Sequence, residues 1–230
     1  MAVMMDGPMA VGSAVSSRQT TGPAATIRAL LAADGSAAAP YAGLLASPAA
    51  MLRDLADAVY ALCVVHGSAP GVVDHALARA GDREALAWLT GAADAMRAER
   101  AYLARLTAAV GPLPSTPGHA AAEAAIIGQR QALAMLASSD RAGCGTGAAL
   151  ALVLDWETVR TVLDGCAARL GIEGGRAFAP VVQAADAFLD AVDAAPGVER
   201  ALAFGAQQVL AQHRGLWALL ESRAAAREPN

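Results

Sequence analysis

There is no lysine in this sequence; all 17 basic residues are arginine. That absence removes Schiff-base chemistry and the phosphate-cradling lysine of a P-loop. Aromatic residues are almost as scarce, at 4%. A core without them must be built from Ala, Leu and Val, which favours closely packed helices over a sheet. Charge is thin too: 17% of residues, a net charge of −4 and no basic cluster. Nucleic-acid binding is therefore not expected, because neutralising phosphates needs a positive surface. Cysteine is limited to Cys63, Cys144 and Cys166, without CxxC spacing. That usage points to reduced thiols and a cytoplasmic setting. The longest uncharged apolar run, residues 142–154, is shorter than the roughly 20 residues a membrane helix needs, so no membrane partner is expected. No G-x-S-x-G elbow occurs. No run of residues alternates as a strand requires, and no repeat recurs at a fixed period.

What is present is a 56% hydrophobic chain of 230 residues, enough for one well-buried core. Helix punctuation is clear. Ser47-Pro48 predicts a helix to about His66, closed by Gly67. Pro70 restarts a shorter one to about Ala80, and Gly81-Asp82 caps a long helix over 83–110. Thr116-Pro117 starts another, to about Ser139. Further helices are expected over 146–170, from Gly174-Gly175 to about Ala194, and from Pro196 to about Arg227. A weaker one lies near 24–33. The prediction is an all-α, single-domain bundle of about seven or eight helices over residues 23–228. Residues 1–22 read as a flexible tail, lacking the basic region that opens a signal peptide.

Residues 143–147, GCGTG, raise the question of phosphate binding. No strand precedes them and no lysine follows, so the phosphate-loop context is missing. Glycines here are better explained by close approach between helices, and Cys144 by burial. GPLPSTPG reads as a stiff connector between long helices, or as a rim where Ser115 and Thr116 meet a ligand.

The informative feature is a set of ionisable residues on apolar stripes. His66 continues Leu52, Leu55, Val59 and Leu62. Glu99 lies among Ala92, Ala95, Tyr102 and Leu106. His213 interrupts Leu202, Ala206, Val209, Leu216 and Leu220. Asp155 follows the wholly apolar stretch 148–154 and has no cation at i±4, whereas Glu157, Asp164 and Trp156 can reach Arg160 as ordinary rim contacts. His119, Glu123 and Arg130 share one side of their helix. A buried carboxylate must find a hydrogen bond, a cation or a metal, or become neutral. In one reading these groups pair helices: Glu123 with Arg130 or His119, and Asp155 with Arg130 or Arg141. In the other, Glu99, His119, Glu123 and Asp155 are metal ligands, and His66 or His213 is the axial ligand of a haem or similar cofactor. The Glu-x-x-His pairs of di-iron bundles are absent.

The stretch ERAYLARLTAAVGPLPSTPGHAAAEA, continued by QRQALAMLASSDRAGCGTGAALALVLDW, resembles a family of uncharacterised bacterial all-helical proteins. HGSAPGVVDHA, from His66, belongs to the same pattern. The resemblance spans about residues 60–170. It implies a helical fold and no particular activity. The helix count is also similar to that of ferritin-like and haem-oxygenase-like bundles, a likeness of architecture alone. The functional expectation is a bundle that binds a protein partner or small apolar ligand and does no chemistry. The alternative is a metal- or haem-dependent helical oxidase. Apolar Ala/Leu helix faces are also compatible with a homo-oligomer.

Overall fold

Proline and glycine punctuate the fold much as they punctuate the sequence. A computed structural model of the chain describes residues 22–113 and 115–227. The tail assigned to residues 1–22 lies outside them but for Gly22, as does Pro114 of GPLPSTPG. Among the described residues there are nine α-helices and no strand: α1 Pro23–Asp34, α2 Pro40–Ala46, α3 Leu52–His66, α4 Val72–Ala78, α5 Arg83–Ala109, α6 His119–Ala137, α7 Cys144–Leu170, α8 Ala179–Ala191 and α9 Pro196–Ala225. Pro23, Pro40 and Pro196 each open a helix, where the missing N–H is no loss. Asp82 caps α5 by accepting from the Ala85 N–H at 2.6 Å. Gly171 ends α7 in the left-handed conformation, φ +66°. The fold is all-α, and among the described residues no single helix is long and apolar enough to cross a membrane.

Three boundaries differ from the sequence reading. Ser47-Pro48 does not start α3. Residues 47–50 form a turn whose carbonyls at Ser47, Pro48 and Ala50 accept from the Arg169 guanidinium, so they are not free to begin a helix. The helix of Thr116-Pro117 begins only at His119, after Gly118 at φ +73°. Gly174-Gly175 does not open α8. Gly175 lies against the Arg160 guanidinium and the Tyr102 ring, and Arg160 bonds the Arg176 carbonyl at 2.9 Å, drawing that segment out of helix. The short α2 carries too few residues for its apolar period to register.

Helix α7 is the axis of the molecule. Residues 147–153 are buried on every side, as their unbroken apolar character requires, and α7 touches all eight other helices. All nine helices contribute to one core. The closest approach is to α9. A methyl group on Gly147 would land on the Leu202 carbonyl, and one on Gly205 on the Cys144 carbonyl. GCGTG is thus a packing surface, with Gly143 supplying the left-handed start of α7 at φ +88° and Cys144 fully buried.

This contact makes opposite predictions for neighbouring glycines. Gly147→Ala and Gly205→Ala are each expected to cost about 1–3 kcal/mol, through forced displacement of a backbone, despite alanine's better helix propensity. Gly145→Ala, whose added methyl would meet Ala76 at ordinary contact distance, is expected to stay within about 1 kcal/mol of the parent. Urea unfolding of the three variants checks the ranking, and equal effects would refute it.

Candidate functional site

The apolar stripes carry His66, Asp155 and His213 to the same place. Asp155 on α7 is 4% exposed, His213 on α9 is 1% exposed and His66, at the end of α3, is 7% exposed. His213 Nδ1 lies 2.6 Å from Asp155 Oδ2, and His213 Nε2 lies 3.0 Å from His66 Nε2. The turn after α1 closes the other side. The Ser36 N–H donates to Asp155 Oδ1 at 2.6 Å and the Ser36 hydroxyl to Oδ2 at 2.5 Å, while Trp217 Nε1 donates to that hydroxyl at 2.8 Å. These contacts form one chain, Trp217–Ser36–Asp155–His213–His66.

The proton positions follow from the pairing. An ionised carboxylate only accepts, so His213 Nδ1 carries hydrogen. The Nε2 of a neutral His213 is then an acceptor, and His66 must donate to it through Nε2–H. His66 Nδ1 is left as a bare acceptor with no hydrogen bond among the described residues. Burial, and next the repulsion that a protonated His213 would add, hold the His66 imidazole well below its ordinary 6.5. Burial raises the Asp155 carboxyl, but the His213 bond and the two Ser36 bonds outweigh it, and the group titrates below its usual 3.8.

His66 lines a cavity of about 60 Å³ between α3, α4, α5 and α6, together with His75, Met96, Arg100 and Arg130. Arg100 is held by Asp74 at 3.1 Å. Arg130 is exposed and makes no ion pair among the described residues. The cavity has room for a few waters or a small anion and is far below the several hundred Å³ of a drug-sized ligand site.

A second buried cluster adjoins the first. The Trp156 ring meets His66 edge-on, with centroids 5.1 Å apart, and donates through Nε1 to Glu99 Oε2 at 2.9 Å. Glu99 Oε1 accepts from Arg160 at 2.7 Å. Arg160 also binds Asp164 at 2.9 Å and lies 4.8 Å over the Tyr102 ring. Burial pushes the Glu99 carboxyl up, against the opposing Trp156 and Arg160 contacts. Arg160 is therefore a buried partner of α5, not the rim residue its spacing suggested. A third cluster joins α3 to α9. Arg223 grips Asp57 through two bonds of 2.7 and 2.8 Å, and Arg227 spans Asp57 and Asp54 at 2.7 Å each.

The residues singled out as metal ligands do not come together. Asp155 and Glu99 lie in separate clusters, linked among the described residues through Trp156 and His66. His119 and Glu123 are exposed, 4.0 Å from each other. Among the described residues no three His, Cys, Asp or Glu side chains form a metal-binding group. Both His213 nitrogens are engaged, so an axial bond to haem would require breaking one of them. Asp155 pairs with neither Arg130 nor Arg141; a histidine and a serine take that role. Sequence reasoning missed Ser36, which lies in the patternless GSAAAP. It also missed the Asp57 cluster, whose only signals were Asp54/Asp57 and Arg223/Arg227 at helical spacing on two distant segments.

The depressed His66 imidazole ties stability to pH. Between its folded value and 6.5, the unfolded chain binds a proton that the folded chain does not. Stability therefore rises with pH across that window and is lost on acidification, by at most about 1.4 kcal/mol per pH unit. Asp155 adds a second loss as pH falls below 3.8. Urea unfolding between pH 5 and 7 is expected to show the first slope in the parent and not in His66→Phe. A flat parent profile would refute the assignment.

No curated protein and no solved structure matches the chain. A family model, described as a family of unknown function (DUF6975), matches residues 31–228. With the match covering the described helices from the latter part of α1 onward, the chain belongs to that family of unknown function.

Proposed function

We propose that this protein is a small-ligand-binding helical bundle whose ligand is a small acid seated in the His66 cavity. One observation carries the reading: the buried chain Asp155–His213–His66 ends on a residue that lines a cavity bordered by Arg100 and Arg130 and whose Nδ1 has no hydrogen bond among the described residues. Arg130 meets the anionic oxygen, and Arg100, already half-compensated by Asp74, adds positive potential. The acid's proton goes to His66 Nδ1. The Nε2 proton of His66 passes to His213 Nε2, and the positive charge comes to rest on His213 against the Asp155 carboxylate. Charge thus forms beside its counterion and not on His66, where burial opposes it. Seen from solution at neutral pH, an anion binds and one proton is taken up with it.

Calorimetry with acetate and with inorganic phosphate, in two buffers of different ionisation enthalpy, tests this. The expected result is uptake of about one proton per anion bound at pH 7, with His66 ring resonances shifting during the titration. Arg130→Met is expected to weaken binding about tenfold or more, the effect of losing one charge-assisted bond. Asp155→Asn is expected to reduce the proton uptake. No perturbation of His66 by either anion would overturn the reading.

A further inference from the structure

The His66 cavity has a neighbour that shares one of its walls. Along α3, Asp57, Tyr60, Ala61 and Val64 line a second cavity of about 280 Å³, and Val65 and His66 line the first. Along α6, Glu123, Ile126, Ile127 and Arg130 line the second, and Arg130, Leu133 and Ala134 the first. Both helices advance through the two cavities in the same order, and Arg130 is a wall of each. The second cavity is largely apolar, with Leu113 at its edge. Its polar floor is already neutralised, because Asp57 is gripped by Arg223, and the Tyr60 hydroxyl is used by the Gly111 carbonyl at 2.6 Å. Its two ends differ in charge. Glu123 stands near one end and Arg130, two helical turns on, at the other. From Asp57 to Val64 the helix spans about 10 Å at 1.5 Å per residue.

We infer that the ligand is an amphipathic carboxylic acid, with its carboxylate at Arg130 and the His66 cavity and its apolar tail along the α3–α6 groove. This inference rests on the acid-binding reading above and adds the class of molecule. The charge difference along the groove sets its direction: the carboxylate is drawn to Arg130 and repelled from Glu123. The apolar walls supply binding energy in proportion to the tail area they remove from water.

The test is a series of straight-chain carboxylates from acetate to octanoate, with octanol as the uncharged control. Calorimetry gives the affinities and the His66 ring resonances report the head. Affinity is expected to rise about threefold to fourfold per added methylene, then level off once the groove is filled. Octanol is expected to bind at least tenfold more weakly than octanoate. Ile127→Asn, at a half-buried position of the groove wall, is expected to abolish the gain from chain length and leave acetate binding unchanged. Ile127→Trp, which fills the groove without adding charge, is expected to do the same. If acetate binds but longer acids bind no tighter, the groove inference falls and the acid-binding reading stands. The same holds if both Ile127 variants keep the full chain-length gain. If octanol binds as well as octanoate, recognition of the carboxylate end is overturned. If no acid in the series binds, both readings fail together.

Discussion

Everything at the candidate site depends on how α7 and α9 meet. The two helices run parallel, and at their crossing each presents a glycine to the other's backbone. Gly205 and Gly147 are 58 residues apart in sequence, and so are His213 and Asp155, two turns further on. The constant offset means that the crossing sets the register, and the register sets the carboxylate opposite the imidazole. Parallel helices this close, without side chains between them at the crossing, cannot slide by one residue without a backbone clash. A buried hydrogen bond of 2.6 Å needs that rigidity.

Among the described residues the interior carries three buried ionic clusters, and their chemistry differs by a single choice of partner. Asp57 is compensated by Arg223 and Arg227, and Glu99 by Arg160. A guanidinium does not lose its proton in a protein, so those clusters fix helices against one another and do nothing else with charge. Asp155 is compensated by a histidine, which in turn leans on a second histidine. Imidazoles donate and accept through two nitrogens, so this cluster alone among the three can pass a proton. His66, at its end, lines the cavity that Arg100 and Arg130 border.

The helices were legible because proline, glycine and apolar period act locally. Pro196, Asp82 and Gly171 mark real ends, and the stretch after Gly147 is as buried as its composition demands. The misplaced starts at Ser47 and Gly174 share one cause. Each segment gives its carbonyls, or its path, to an arginine far away in sequence, and no local rule registers that partner. The candidate residues divide the same way. His66, Glu99, Asp155 and His213 were marked by standing where an apolar side chain was due, and all four are buried. His119 and Glu123 were marked by sharing a face with each other, a spacing that solvent-exposed helices satisfy equally well, and they are exposed.

Sequence alone determined that the chain is helical, that its core is built chiefly of Ala, Leu and Val, and that a few ionisable groups are buried in it. These follow from periodicities and propensities that operate within a turn or two of helix. Tertiary structure decided which buried groups meet. Asp155 is left by its local sequence as free to meet an arginine as a histidine. It found His213 because two glycines 58 residues apart let their helices touch, and Ser36 because a turn between short helices folds over it. Pairing across such separations depends on the packing of whole helices, which no local pattern encodes.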